Sequence, residues 1–401
     1  MAVANAAPAS SRTARSTRAA WTDFVHTGPG TLAGRWMRTF WHPVSRSQDL
    51  PSGQARPLRV MGEDFTLYRG QEGAVHLLDF RCAHRGTQLS TGWVEGDNLR
   101  CFYHGWMYDG SGQCVEQPAE RQPFCEKVRV GSYPVEEYLG LIFAYIGEGT
   151  PPPLTRYPEF EDSSRGMLEQ IASTIPCNYF NTIDNDPIHI YFVHRTFNAE
   201  QGRADIPDVE CEETDYGYET RATDSVGSWK YHCYMPNMVH GRRDGAPKGE
   251  AIQWRVPIDD EHTASYGVNL LYLFGEEAEA YRERRGGGDR GDRQRLETRL
   301  RVSEVGGAVL RGEVHIDEVD DRSIRFNVQD FVSQVGCGPI VDLEHQHLGR
   351  EDATAITLRR IFQRELKALA QGKPTKRWTR PAEPMYLGNV EVPPSTRAAR
   401  P

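Results

Sequence analysis

Several features that would place the chain in other classes of protein are absent from its 401 residues. No run of eighteen or more apolar residues occurs, which argues against a helix that crosses a membrane. Lys and Arg number 47 against 56 Asp and Glu, and the net charge of -9 argues against a nucleic-acid-binding protein. Eight cysteines are too few for a disulfide-stabilised scaffold. We therefore expect a cytoplasmic globular protein without membrane or nucleic-acid partners.

Composition divides the chain into three predicted parts. Residues 1–20 are rich in Ala, Ser and Arg and contain no acidic residue, which predicts a disordered tail that extends to residue 25. Residues 26–150 alternate short β-rich runs with turns, as in PLRVMGEDFTLYRG and YLGLIFAYIG. A proline triplet at 151–153 predicts a linker, and residues 151–401 mix helical and strand-like patterns. Helices and antiparallel-looking strands without β-α-β alternation predict an α+β fold.

Local patterns in the third part predict individual elements. The runs GSWKYHCYMP, EAIQWRVPI, SYGVNLLYLF and SIRFNVQDFV are each predicted to form a strand. The charged, glycine-rich stretch that begins at Arg282 is predicted to be a mobile surface loop. In EDATAITLRRIFQRELKAL, apolar residues recur at helical spacing between positions 358 and 369, which predicts a helix with one apolar face.

Two cysteine–histidine pairs lie close together in RCAHRGTQLSTGWVEGDNLRCFYHGWMYD, residues 81–109. Cys82 precedes His84 by two positions, and Cys101 precedes His104 by three. A structural zinc site is one interpretation, but common zinc motifs group cysteine with cysteine and histidine with histidine. In a Rieske [2Fe–2S] cluster, two thiolates bind one iron and two imidazoles bind the other. Two loops that approach the cluster from opposite sides would each supply one ligand of either kind, so the mixed pairs favour a Rieske cluster.

A second group of metal-binding residue types occurs in NTIDNDPIHIYFVHR, residues 181–195. Asp186, His189 and His194 are spaced D-x-x-H-x-x-x-x-H, and on a helix Asp186 would lie beside the His189 ring and could hydrogen-bond to it. His189 and His194 are five apart, so a regular helix would point them about 140° away from each other. If both bind one metal, the helix must end or distort between them.

Two histidines in an apolar stretch are, taken alone, more often core residues than metal ligands. Their position after a Rieske motif reverses that preference, because two imidazoles and a carboxylate form the facial triad of non-haem Fe(II) oxygenases. Asp186 could be that carboxylate or a hydrogen-bond partner of His189. The spacing favours the second role, because Asp186 would lie beside the first histidine rather than across the metal, so we expect the carboxylate to come from further along the chain. The start of the last helix offers Glu351 and Asp352, although carboxylates are also ordinary capping residues there. We favour Asp352, with Glu351, Asp330 and Glu344 as alternatives.

The two motifs together resemble the oxygenase component of the Rieske non-haem iron oxygenases. The resemblance covers about residues 26 to 380 and is greatest to the phthalate-dioxygenase-like group. Within that group, TGPGT, YHGWMYDGSGQCVEQPAE and REDATAITLRRIFQREL are similar to the dehydrodivanillate O-demethylase branch.

This resemblance implies an all-β Rieske domain over residues 26–150 and a helix-grip-like catalytic domain over residues 151–401. It also implies a head-to-tail homotrimer in which Asp186 joins His104 of one subunit to His189 of its neighbour. The family's iron ligands carry over as His189, His194 and Asp352.

The resemblance further implies an oxygenase that uses O2 and a reduced electron carrier, a ferredoxin or a flavin reductase, to O-demethylate a methoxylated aromatic acid. No G-x-G-x-x-G motif follows a predicted strand, so NADH binding by this chain is not expected. Ring hydroxylation and N-demethylation by the same metal centres are alternatives, as is a Rieske electron carrier without catalytic iron. Arg242 and Arg243 are candidates to pair with a substrate carboxylate, although surface arginines are the commoner case.

Overall fold

The computed structural model describes residues 20–184, 188–200, 205–243, 247–285 and 289–387. Within these ranges the chain forms four antiparallel sheets and nine α-helices, which confirms the predicted α+β class. No helix in the described ranges is long and apolar enough to cross a membrane.

Three small sheets are built from the first part of the chain, where the sequence predicts short strands and turns. Their strands are β1 (Trp41–Arg46), β2 (Ala55–Val60), β3 (Glu63–Arg69), β4 (Val75–Asp79), β5 (Trp93–Glu95), β6 (Asn98–Arg100), β7 (Met107–Tyr108), β8 (Cys114–Glu116), β9 (Ser132–Tyr133), β10 (Val135–Tyr138) and β11 (Leu141–Tyr145). The sheet orders are β1-β11-β10, β2-β3-β4-β9 and β5-β6-β7-β8.

A seven-stranded sheet dominates the second part of the chain. It contains β12 (Met167–Ile175), β13 (Asp208–Glu213), β14 (Gly217–Thr223), β15 (Ser228–Tyr234), β16 (Met238–Arg243), β17 (Gly249–Pro257) and β18 (Thr263–Leu271). Its order is β12-β18-β17-β16-β15-β14-β13. The strands predicted from GSWKYHCYMP, EAIQWRVPI and SYGVNLLYLF are therefore confirmed.

The two faces of this sheet have different neighbours because side chains alternate along a strand. Trp254 of β17 packs against Phe143 of β11 with 5.4 Å between the ring centroids. The face of the sheet that carries Trp254 therefore packs against the first part of the chain. The Thr220 hydroxyl on the other face lies 3.1 Å from that of Thr354, at the start of the last helix. Arg255 follows Trp254 directly and therefore points to this helical face.

The helices are α1 (Leu32–Met37), α2 (Pro158–Glu161), α3 (Tyr179–Ile183), α4 (Ile188–Val193), α5 (Arg195–Glu200), α6 (Gly275–Arg285), α7 (Asp289–Leu310), α8 (Arg322–Val335) and α9 (Ala353–Ala370). The helix predicted near the end of the chain is confirmed as α9, which buries Leu358, Ile361, Phe362 and Leu366 on one face.

The segment SIRFNVQDFV forms a helix, so the prediction of a strand there is wrong. It lies within α8, which buries Ile324 and Val328, four residues apart, in a small apolar cluster with α7. Phe326 lies between them at strand-like spacing but is 43% exposed. The alternation of apolar and polar residues thus suggested a period of two, whereas packing against α7 selects the helical period.

The charged stretch that begins at Arg282 is also more regular than predicted. Helix α6 continues through Arg285 and α7 begins at Asp289, so the segments on either side of the glycines are helical. Residues 286–288 lie outside the described ranges.

The predicted tail, residues 1–25, is too long at its C-terminal end. Phe24 is buried and its ring lies 5.5 Å from Phe180 and 5.7 Å from Phe362. Val25 is buried in the same apolar core. The chain therefore packs against α3 and α9 before the first strand, while residues 1–19 lie outside the described ranges.

Candidate metal centres

The two cysteine–histidine pairs lie on two loops, residues 82–87 and 101–106, that close with the same hydrogen bonds. The cysteine N–H at the start of each loop donates to the carbonyl of the loop's last residue, at 2.8 Å in both cases. The N–H of Gly86 donates back to the Cys82 carbonyl at 2.9 Å, and that of Gly105 to the Cys101 carbonyl at 3.1 Å. Both glycines have positive φ angles, 75° and 74°, which a glycine adopts without strain.

These loops bring the four predicted ligands together. Cys82 and Cys101 are buried, and the rings of His84 and His104 lie 4.6 Å apart. Nδ1 of His84 is buried without a hydrogen-bond partner among the described residues, as expected for a nitrogen that binds a metal. Desolvation, and then the nearby His84, lower the pKa of His104, which favours the neutral imidazole required of a ligand. Two thiols and two imidazoles in this arrangement fit a [2Fe–2S] cluster.

Aromatic side chains fix the orientation of this site. The Trp106 ring stacks on His84 with 4.4 Å between centroids and an angle of 6° between planes. Phe124 packs edge-on against Trp106. The hydroxyl of Tyr108 lies 3.2 Å from Sγ of Cys82, within hydrogen-bonding distance of a cluster thiolate.

A second group of ligand atoms lies between α4 and α8. It consists of His189, His194 and Asp330, each of which offers one ligand atom, and these three atoms lie within 4.8 Å of one another. Among the described residues, this is the group of three side chains whose geometry could hold a metal ion. Helix α4 ends at Val193, directly before His194, as the five-residue spacing of the histidines requires.

The surroundings of His194 favour a cation at this position. The ring is buried, and its Nδ1 lies 3.0 Å from Oε1 of Gln329 while its Nε2 lies 3.0 Å from Oδ1 of Asp330. A neutral imidazole has one N–H and can donate to only one of these two oxygens. If Nδ1–H donates to Gln329, the Nε2 lone pair faces the carboxylate, and a metal ion shared by both would make that contact favourable.

Asp352, the residue favoured as third ligand, lies elsewhere. It precedes the first residue of α9, and its Oδ2 accepts a hydrogen bond of 2.6 Å from the N–H of Gly349. Asp330, one of the alternatives, lies with the two histidines instead. Asp186, the predicted bridging residue, lies outside the described ranges.

Side chains not singled out from the sequence hold α3 against α8. The amide of Asn181 donates to the carbonyls of Gln334 and Gly338 at 3.0 and 2.8 Å, and its oxygen accepts from the N–H of Val341. Asp184 forms an ion pair with Arg359 of α9. The motif NTIDNDPIHIYFVHR therefore contains anchoring residues as well as ligands, although nothing in its spacing distinguishes the two roles.

Comparison with known proteins agrees with both centres. A family model described as the Rieske [2Fe-2S] domain matches residues 40–138. The 5,5'-dehydrodivanillate O-demethylase oxygenase subunit of Sphingobium sp. (strain NBRC 103272 / SYK-6) is 31% identical over 371 residues, 87% of this chain and 80% of that protein. The phthalate 4,5-dioxygenase oxygenase subunit of Pseudomonas putida is 27% identical over 381 residues, 85% of this chain and 84% of that protein.

Solved structures share the fold. The terminal oxygenase of carbazole 1,9a-dioxygenase from Nocardioides aromaticivorans IC177 superposes with a TM-score of 0.62 at 19% identity, covering 82% of this chain and 94% of that one. An oxygenase–ferredoxin complex of carbazole 1,9a-dioxygenase gives a TM-score of 0.60 at 19% identity, covering 89% and 96% of the two chains.

The fold, the paired loops and the relatives define the class: the chain belongs to the Rieske non-haem iron oxygenases. Within that family it is an oxygenase component, an oxidoreductase that carries a Rieske [2Fe–2S] cluster and a mononuclear iron. The resemblance to the dehydrodivanillate O-demethylase branch is confirmed.

Proposed function

We propose that the protein uses O2 to remove the methyl group of a methoxylated aromatic acid. The similarity to the dehydrodivanillate O-demethylase subunit supports this reaction, because it extends over 87% of the chain. The aryl methyl ether, O2, two electrons and two protons give a phenol, formaldehyde and water. When bound, the cluster supplies the electrons and the mononuclear iron activates O2.

We infer that His189, His194 and Asp330 hold the mononuclear iron. Their ligand atoms lie within 4.8 Å of one another, and they form a two-histidine, one-carboxylate set. The side-chain amide oxygen of Gln329, Oε1, would keep the proton of His194 on Nδ1 and so leave Nε2 free for the metal.

The acidic group of the proposed substrate has a candidate partner in Arg255. Its side chain is on the helical face of the seven-stranded sheet, where it donates to Ser265 and to Oε1 of Gln253. Arg255 forms no ion pair with a carboxylate among the described residues. Desolvation lowers the pKa of Arg255, and the largest opposing influence is the charge of Asp330. A half-buried cation that feels the charge of Asp330 but is not paired with it can bind a substrate carboxylate.

Arg242, one of the two candidates suggested by the sequence, has a different position, while the side chain of Arg243 lies outside the described part of the structure. Arg242 pairs in register with Glu250, two residues after His240, and therefore points to the sheet face that carries Trp254. This places Arg242 on the side of the sheet opposite Arg255, and it serves as a matched control.

Electrons would come from a ferredoxin or a flavin reductase, and the protein would assemble as a homotrimer. Three aromatic residues near the cluster loops, Trp93, Phe102 and Tyr103, are 53%, 58% and 54% exposed and offer an apolar surface for a donor or a neighbouring subunit. The predicted role of Asp186 as the bridge between subunits belongs to this proposal.

The decisive experiment measures formaldehyde and O2 uptake with 3,4-dimethoxybenzoate and a surrogate reductase. Equimolar formaldehyde and demethylated product are expected. A ring diol without formaldehyde would instead favour hydroxylation, for which the similarity to the phthalate 4,5-dioxygenase subunit is the supporting observation. Metal analysis should give three irons per chain, whereas a Rieske electron carrier would hold two.

The role of Arg255 is tested with Arg255→Met. Loss of a charge-assisted hydrogen bond, worth about 1.5–3 kcal/mol, should raise KM for 3,4-dimethoxybenzoate roughly 10- to 100-fold. KM for the uncharged 1,2-dimethoxybenzene should not change, and Arg242→Met should affect neither substrate. Equal effects of Arg255→Met on both substrates would rule out carboxylate recognition by this residue.

A further inference from the structure

A cavity of about 640 Å³ lies on the face of the seven-stranded sheet opposite Arg255. It is bounded by Phe143 of β11, the proline-rich segment 152–158, Trp254 of β17 and the C-terminal segment 375–382. None of the three proposed ligands of the mononuclear iron lines it. The cavity is therefore separate from the iron site.

Three polar atoms in residues that line this cavity are buried without a partner among the described residues. They are Oδ1 of Asn237, Nε1 of Trp378 and Nε of Arg380. The side chain of Asn237 is oriented by its Nδ2, which donates to the carbonyl of Arg255 at 2.6 Å, so the oxygen is the atom left without a donor. Unsatisfied buried polar atoms are uncommon in folded proteins, and three in one cavity indicate missing partners.

The partners of Arg380 show which of its atoms remains available. One terminal nitrogen forms an ion pair with Glu159, and the other donates to the carbonyls of Arg156 at 3.1 Å and Pro381 at 3.3 Å. The Tyr234 hydroxyl is a further hydrogen-bond partner of the side chain. The Arg380 side chain is only 4% exposed, so Nε cannot rely on bulk water. Together, Nε of Arg380 and Nε1 of Trp378 offer two N–H donors, and Oδ1 of Asn237 offers one acceptor.

The charged residues of the cavity are all basic, although the chain has a net charge of -9. Arg156, Lys376, Arg377 and Arg380 line it, and no acidic residue does. Glu159 neutralises Arg380, and Lys376 is paired with Glu213. Arg156 and Arg377 form no ion pair with a described carboxylate, so they give the cavity a positive potential that favours an anion.

Eight of the residues that line the cavity are aromatic, including Tyr157, Tyr234 and Trp254. The Tyr157 ring meets those of Tyr234 and Trp254 edge-on at 5.8 and 5.9 Å. A planar ring can pack against such walls, while its polar substituents reach the few polar atoms.

We infer that this cavity binds an aromatic carboxylate that also carries a hydroxyl group, at a site separate from the iron. The carboxylate accepts hydrogen bonds from Trp378 and Arg380, and the hydroxyl donates to Asn237. This inference does not rest on the proposed demethylation, because it uses no residue of the iron site.

The test is equilibrium dialysis of the holoenzyme with 4-hydroxybenzoate under anaerobic conditions. Saturable binding is expected, and Trp378→Phe, which removes one N–H but keeps a ring, should weaken it about three- to tenfold. Trp93→Phe, outside the cavity, should leave binding unchanged. Arg377→Gln should weaken binding of 4-hydroxybenzoate but not of 4-hydroxybenzyl alcohol, which lacks the carboxylate.

Arg255→Met distinguishes this cavity from the iron side of the sheet and should leave the Trp378-dependent binding intact. Loss of all saturable binding in Arg255→Met would assign the ligand to the iron side and overturn the inference. Equal affinity of the unmodified holoenzyme and Trp378→Phe for 4-hydroxybenzoate would also overturn the inference, because Nε1 of Trp378 would then make no hydrogen bond to the ligand. Binding that appears only when the chain is shortened to end at Leu387 would show that residues 388–401 fill the cavity instead.

Discussion

The two metal centres differ in how far apart in the chain their ligands lie. The Rieske ligands fall within residues 82–104 on two loops, each closed by its own main-chain hydrogen bonds. At the mononuclear centre, His194 and Asp330 are 136 residues apart and meet only because α4 packs against α8. Local backbone geometry thus builds the first centre, whereas helix packing builds the second.

Both centres nevertheless orient one histidine by stacking it on an aromatic ring. His84 lies on Trp106 and His194 lies on Phe326, with 6° between the planes in each pair. Trp106 is buried, but Phe326 is 43% exposed. The ring that orients His84 is therefore enclosed by its own domain, while the ring that orients His194 is partly open to solvent on the side of α8.

The largest effect is expected from Asp330→Asn, which tests the assembly of the second centre. Loss of a metal ligand should lower iron affinity by more than the roughly 10- to 100-fold cost of losing a residue that only orients a ligand. Turnover should fall accordingly, while the visible spectrum of the Rieske cluster stays unchanged. Metal analysis should show about one iron fewer per chain.

Asp352→Asn is the matched control, because it makes the same substitution at the residue that the sequence favoured. It replaces the carboxylate that accepts from the Gly349 N–H with an amide whose oxygen can still accept, and it should leave the iron content unchanged. Iron loss in Asp352→Asn but not in Asp330→Asn would restore Asp352 as the ligand.

The sequence was enough to single out the four residues that the structure brings together at the first centre, because they and the glycines of their loops are close together in the chain. It also predicted that a helix would end between His189 and His194, as α4 does. Asp330 was only an alternative to Asp352, and the strand-like alternation of SIRFNVQDFV hid the helix that presents Gln329 and Asp330 to His194. Asp352 was preferred because it begins a helix that the sequence revealed clearly. A contact between residues 136 apart depends on packing, which one sequence does not specify.

A smaller effect is expected from Gln329→Leu, which removes the acceptor that orients His194. The side chain lies 3.0 Å from Nδ1, and loss of such a partner costs about 10- to 100-fold in metal affinity. Iron dissociation, followed with a chelator, should be correspondingly faster. Ser333→Ala, one helical turn further along α8, removes a hydroxyl that bonds to the Gln329 carbonyl and should have little effect. Unchanged iron retention in Gln329→Leu would mean that packing against Phe326 alone orients the ring.

The stability of the first centre should depend mainly on the backbone conformation of its two loops. Ala in place of Gly86 or Gly105 must adopt a positive φ, at a cost of roughly 1–2 kcal/mol. A Cβ at Gly86 meets no atom within 4 Å, whereas at Gly105 it would lie 2.9 Å from Cγ of Pro118. Gly105→Ala should therefore lower the melting temperature more than Gly86→Ala, as measured by loss of the cluster absorbance on heating. An equal loss in both variants would mean that Pro118 moves aside freely.

The smallest expected effect concerns the hydrogen bond between Tyr108 and the cluster. The tyrosine must be the donor when Cys82 binds iron as a thiolate, and burial, followed by Cys82, raises the pKa of Tyr108, so the hydroxyl keeps its proton. Reduction adds negative charge to the cluster, and a donor to sulfur stabilises the reduced form more than the oxidised form. Tyr108→Phe should therefore lower the reduction potential by roughly 20–65 mV, the one-electron equivalent of about 0.5–1.5 kcal/mol. Tyr68→Phe, in the same apolar cluster but bonded to the Asp97 carbonyl, should leave the potential unchanged. A potential that stays the same or rises in Tyr108→Phe would show that the loops alone set the electronic properties of this centre.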